Sequence, residues 1–142
     1  MRDVLNTIKK ENGFVAAVIT ADATGITIDR QGFGVCGADV VLGNSGDTLS
    51  GSVYVELEAQ ESVDDSTWTA CADASIMNAV TGTNTGTFAV VNAPAEDSTV
   101  FSVQYRGGKR YFRVVANVTG THTNGIPFGV VNWKGEATYK PV

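Results

Sequence analysis

Between Gln31 and Val100 the chain contains neither lysine nor arginine. That gap, with a net charge of −5 and a pI near 4.7, argues against a general nucleic-acid binder, which needs cations to neutralise phosphates. No apolar run approaches the ~20 residues of a membrane-spanning helix. The opening Met1-Arg2-Asp3-Val4-Leu5-Asn6 lacks the apolar core and small-residue cleavage site of a secretory signal. The expectation is a soluble protein made in a cytoplasm, with no membrane partner. Histidine occurs once, at His122, and cysteine twice, at Cys36 and Cys71. Zinc needs Cys and His clusters that this inventory cannot supply, and two cysteines do not make a disulfide framework. In their apolar, small-residue settings both read as buried thiols; a bond between them is the alternative. Neither a metal nor a cofactor is expected.

What is present is glycine, threonine, valine and alanine in strand-and-turn proportions, with few of the residues that favour helices. At 142 residues the chain is long enough to bury one core unaided. Its charges are segregated. The stretch 31–100 carries ten acids, whereas residues 101–142 carry six cations (Arg106, Lys109, Arg110, Arg113, Lys134, Lys140) against the single acid Glu136. One domain with such a division can pair the two sets or offer them to different partners.

Residues 1–12 read as an arm ahead of the domain, with one or two helical turns stopped at Asn12-Gly13, and residues 13–142 as a single β domain. Residues 14–20 are a short apolar run. Residues 33–42 read as a buried strand, because Val35, Val40, Val41 and Leu42 crowd together. The clearest period of two lies in residues 52–60, with Val53, Val55, Leu57 and Ala59 on one face and Tyr54, Glu56, Glu58 and Gln60 on the other. Gly107-Gly108 predicts a hairpin joining strands on either side, the second placing Phe112, Val114, Ala116 and Val118 inward. Eight or nine short strands separated by Gly/Asn turns indicate an all-β, single-domain antiparallel sandwich or barrel. Periodicity does not choose among immunoglobulin-like, jelly-roll and barrel connections.

No catalytic constellation is evident. His122 sits in a Thr/Gly/Asn turn and reads as a solvated turn residue. Asp64-Asp65 and Glu96-Asp97 also lie in turns, without a cleft to hold two carboxyls across a sugar. Asn44, Ser45 and Asp47, or Asp64, Asp65 and Ser66, lack the ligand spacing of a calcium loop. The basic segment is the most suggestive element: Arg106, Lys109, Arg110 and Arg113 interleave with Tyr105 and Tyr111. Its cations either pair internally with Glu56, Glu58 or Asp64, or meet carboxylates of another protein, since arginine forks suit interfaces; nucleic acid is the least favoured partner. With Arg2, Lys9 and Lys10 of the arm, these are the candidate interface residues. Trp68 and Trp133 read as packed over sandwich edges, with glycan stacking as the alternative.

Three segments, residues 58–70 with Asp64-Asp65-Ser66-Thr67-Trp68, residues 105–115 with Tyr105-Arg106-Gly107-Gly108-Lys109-Arg110-Tyr111, and residues 119–127, resemble in order and spacing small structural proteins of tailed bacteriophages. Some of those are capsid cement (decoration) proteins. The resemblance covers about residues 50–135 of the chain and implies a jelly-roll sandwich without enzymatic activity. It further implies a homo-oligomer, dimer or trimer, that binds the major capsid protein on the outside of an icosahedral head and stabilises it. A head–tail or tail component, or a carbohydrate-binding sandwich, are the alternatives.

Overall fold

Alternation at period two puts one face of each strand against a core, and a second sheet must then cover that face. The computed structural model describes residues 4–80 and 84–139, and among these it has eleven strands and no α-helix. They are β1 (Ile8–Ile19), β2 (Ala23–Thr24), β3 (Ile28–Asp29), β4 (Phe33–Leu42), β5 (Tyr54–Ser62), β6 (Thr69–Ala70), β7 (Ile76–Met77), β8 (Thr87–Val91), β9 (Val100–Tyr105), β10 (Tyr111–Thr119) and β11 (Ile126–Ala137). The count exceeds the expected eight or nine because β2, β3, β6 and β7 are two-residue pieces on sheet edges.

Two antiparallel sheets form a sandwich. The first has the order β1-β11-β4-β9-β7. In the second, β10 pairs with β2 and β3 on one side and β5 on the other, and β5 carries β6 and β8 on its far side. Nearly every connection passes from one sheet to the other, and β1 lies beside β11. This is a jelly-roll order.

The expected hairpin at Gly107-Gly108 is therefore not one. β9 pairs with β4 in the first sheet and β10 with β5 in the second, so residues 106–110 cross between sheets. The arm is also shorter than expected. Val4 closes a single turn by accepting the Thr7 and Ile8 amides at 3.1 Å each, and then Ile8–Asn12 pair with Val131–Gly135 as part of β1. Asn12-Gly13 does not stop the element; it marks a bulge within it.

Inside, Val55, Leu57 and Ala59 of β5 meet Phe112, Val114 and Ala116 of β10, all 0–1 % exposed. Tyr105 from β9 stacks on Phe112 at 5.2 Å, and Phe14 from β1 meets Phe128 edge-on at 4.9 Å. Cys36 and Cys71 are buried free thiols; burial pushes Cys36 up to about 12 and Cys71 higher still, so both are protonated.

One polar device completes the core. The Tyr105 hydroxyl donates to Glu61 Oε2 at 2.5 Å and accepts the Lys109 amide at 3.0 Å, while Lys109 Nζ lies 3.1 Å from Glu61 Oε1. Gly107 fits above it because a Cβ there would lie 2.4 Å from the hydroxyl. Replacing Tyr105 with Phe strips a half-buried carboxylate and a backbone amide of their partner at once. A loss of about 1–3 kcal/mol is expected, measured by urea unfolding, with the fold retained because the stacked ring stays.

Candidate functional site

The cations proposed for an interface come first. Arg110 forms a two-pronged pair with Asp29 at 2.9 and 2.6 Å and lies over the half-buried Tyr111 ring. Lys109 holds Glu61 and the Thr69 hydroxyl. Arg113 donates to Gln60 Oε1 at 2.9 Å and stacks on Trp68 at 4.1 Å. Arg106 spends its amide on Ser75 O and its Nε on Ala74 O, leaving the guanidinium exposed. Lys9 pairs with Glu11 at 3.2 Å, and Lys10 stands exposed on β1. Tyr105 is a correction: it is fully buried and has no surface to offer. Arg2 lies outside the described residues.

The internal partners are not those the sequence suggested. Glu56, buried on the second sheet, accepts from Asn84 Nδ2 and from the Thr87 hydroxyl. Glu58 takes Gln60 and Asn117. Asp64 closes its own turn, accepting the Thr67 and Ser66 amides and the Ser62 hydroxyl. Those donors hold its carboxyl far below the usual range.

Most other acids of the 31–100 stretch also accept neutral donors. Asp47 receives the Asn124 and Gly125 amides, Asp97 the Ser45 amide, Asp73 the Gly86 amide and Glu96 the Asn92 and Ala93 amides. Of the four ion pairs among the described residues, only Lys109–Glu61 joins the acidic stretch to the basic one. Lys134, 7 % exposed, points inward and holds Glu11 at 3.0 Å and the Asp29 carbonyl at 3.1 Å.

His122 is not a solvated turn residue. It is 4 % exposed, with Nε2 beside the Thr119 carbonyl at 3.1 Å and Nδ1 without a partner among the described residues. Trp133 is half-buried and occupies the space over Gly37, where a Cβ would come within 2.4 Å of its ring.

The surface that sequence reasoning missed is the outer face of the first sheet. Residues paired directly across strands share a face, which groups its outward side chains into rows. Val18 stands by Pro127, and Gly129 by Val41 and Val100. Next come Asn12, Val131, Asp39 and Ser102, then Lys10, Trp133, Gly37 and Gln104, then Ile8, Gly135 and Val35. Two of these residues are charged, Lys10 and Asp39. Val18, Val100, Val41 and Val131 are 59, 58, 49 and 40 % exposed. The second sheet is more polar: its outer rows pair Tyr111 with Ser62, Arg113 with Gln60, Val115 with Glu58, Asn117 with Glu56 and Thr119 with Tyr54.

The missed signal was the lack of alternation in β4 and β11. A run apolar on both faces reads as a strand covered on both sides, and here only one side is covered by the chain itself. Among the described residues no group of three His, Cys, Asp or Glu side chains is placed to hold a metal, and no helix is long and apolar enough to cross a membrane.

The sequence matches no protein-family model and no curated protein. Among solved structures, a chain from the disulfide-linked pili of Bacillus endospore appendages is 16% identical, with 96% of this chain and 97% of that one covered and a TM-score of 0.43. The Clostridium thermocellum xylanase 10B CBM22-1–GH10 structure with xylohexaose is 10% identical over 95% of this chain and 27% of that one, TM-score 0.42. A chain of infectious bursal disease virus, Gx strain, is 14% identical over 94% and 37%, TM-score 0.31. Likeness at this level assigns neither family nor activity.

Acid tests the tethering carboxylates. The Arg110 hydrogen bonds hold Asp29 down at about 2, against 3.8 for the free group, and Asp64 is displaced in the same direction. A depressed carboxyl contributes stability above its unfolded value and loses it as pH falls through the folded one. Urea midpoints should be flat above about pH 5 and fall from about pH 4 to pH 2. Asp29→Asn should lower the plateau and make that fall shallower.

Proposed function

We propose that this chain is a non-enzymatic structural protein of a phage particle, a cement protein that attaches to the outside of an icosahedral head and stiffens it. The observation that carries the reading is the outer face of the first sheet, broad, apolar and almost without charge on a protein whose other sheet is ordinarily polar. Contiguous exposed apolar surface of that kind marks a protein-binding side. The carboxylates that tie neighbouring loops to one another suit the same role, since a cement protein has to hold its shape under load.

In this reading the crossover 106–110, with exposed Arg106 at its start, meets the major capsid protein. The remaining candidate cations serve first to hold the sandwich together and only then as surface charge. Association through large shared surfaces, repeated in many copies, then supplies the strength.

A second reading draws on one observation. On the second sheet Arg113 stacks on Trp68 and donates to Gln60, which continues a polar chain through Glu58 to Asn117; an aromatic ring next to such a chain has the ingredients of a sugar site. If glycan binding is the function, Trp68→Ala abolishes retention on a glycan array and leaves particle association unchanged.

The ratio of this chain to the major shell protein in purified particles decides the first reading. Quantitative mass spectrometry should find hundreds of copies per head, removable with loss of resistance to heat. A handful of copies would make it a head–tail or tail component, and particles without the chain would overturn the proposal.

A further inference from the structure

We infer that the outer face of the first sheet is covered by the same face of a second copy, forming a two-fold dimer by sheet-on-sheet packing. The inference rests on reading that face as protein-binding, and not on attachment to a shell.

Three features carry it. The first is the sequence pattern itself. β4 and β11 are apolar on both sides, with Val40 and Val130 buried inside and Val41 and Val131 outside. Strands of that pattern are normally enclosed on both faces. Small residues (Ala16, Gly37, Gly129, Gly135), with the Trp133 ring occupying the space over Gly37, leave room for a second sheet to approach to ~10 Å.

The second is size. The three strands that overlie one another about an axis on β11 are β1, β11 and β4, of 12, 12 and 10 residues; at ~4.8 Å spacing and ~3.3 Å rise they cover about 540 Å². That is the size of a small interface, a little below the roughly 600–1,000 Å² each partner buries in a standard one, and suits a dimer in the micromolar range.

The third is charge. The face has one cation on β1 and one anion on β4, placed on either side of the middle strand β11. Neither joins an ion pair among the described residues; Asp39 accepts only the Ser102 hydroxyl, at 2.7 Å. A two-fold axis running along β11 exchanges β1 and β4. Each Lys10 then lands two residues, about 7 Å along the strand, from the partner's Asp39, within reach of a lysine side chain. The face is thus self-complementary, which an isologous contact requires. A shell protein would have to match one isolated cation and one isolated anion instead.

Light scattering on the full chain at about 50 µM should give twice the 14.9 kDa chain mass. V41K/V131K, at two exposed positions, should raise the dimer dissociation constant roughly 100-fold by setting charges into the apolar contact, with the fold retained by circular dichroism and the wild-type loss of melting temperature on dilution abolished. Lys10→Glu alone should weaken the dimer about tenfold, and K10E/D39K should restore it; this pair carries the test if V41K/V131K does not fold. A monomeric wild type, a trimer, or a dimer indifferent to both sets of variants overturns the inference. Sedimentation of the same variants with purified heads separates the two claims. A monomer that still binds heads ends the dimer and leaves the cement reading, whereas a dimer that ignores heads does the reverse.

Discussion

A jelly roll closes most of its loops without hairpins, and much of this structure follows from that constraint. When consecutive strands lie in different sheets, the turn between them spans the gap and has no ladder of backbone bonds to hold it. Its amides still need acceptors. Here carboxylates supply many of them. Asp47 fastens the loop after β10, Asp97 the loop after β4 and Asp73 the segment before β8, while Asp64 does the same inside the β5–β6 hairpin. The acidic stretch is in large part a set of loop fasteners. A charge-assisted bond to a backbone amide is stronger than its neutral counterpart, and a carboxylate needs no matching cation to make it.

The same constraint explains the basic crossover. Residues 106–110 pass between sheets at the end of the sandwich where Tyr105, Glu61 and Asp29 converge. The cations that follow Tyr105 land on Glu61 and Gln60 of β5, on Asp29 of β3, and on Trp68 in the turn before β6. What looked in one dimension like a free basic patch is mostly internal stitching. Among the described residues, Arg106 and Lys10 are the exposed candidates without a carboxylate partner.

Period-two patterning made β5 and β10 legible, together with their inward residues, because each has one wet face and one dry one. The all-β class and the two buried thiols followed from composition and setting. Sheet membership was not legible. Gly107-Gly108 has the chemistry of a hairpin, and only the pairing of β9 with β4 reveals a crossover; pairing is a long-range property that turn residues do not encode. His122 was misjudged for a related reason: its loop is fastened at Asn124 and Gly125 by Asp47, a long-range contact that turn residues do not encode. The outer face of the first sheet was visible as mainly apolar runs in residues 14–20, 33–42 and 126–133, interrupted by Asp39 and Asn132. The missing step was to ask what covers the second side of a strand when the chain has only two sheets to offer.

The pairing of β1 with β11 sets how the molecule bears mechanical load. Ile8 lies opposite Gly135 and Ile19 opposite Ile126, so the first strand enters and the last strand leaves at one end of the sandwich. Tension applied through these two strands opens their seam as a zipper, breaking hydrogen bonds one after another at low force. Tension entering through the flat sides of the sandwich meets whole sheets in parallel and finds no seam to start from. A brick of this design is strong where its faces are gripped and weak where its ends are pulled.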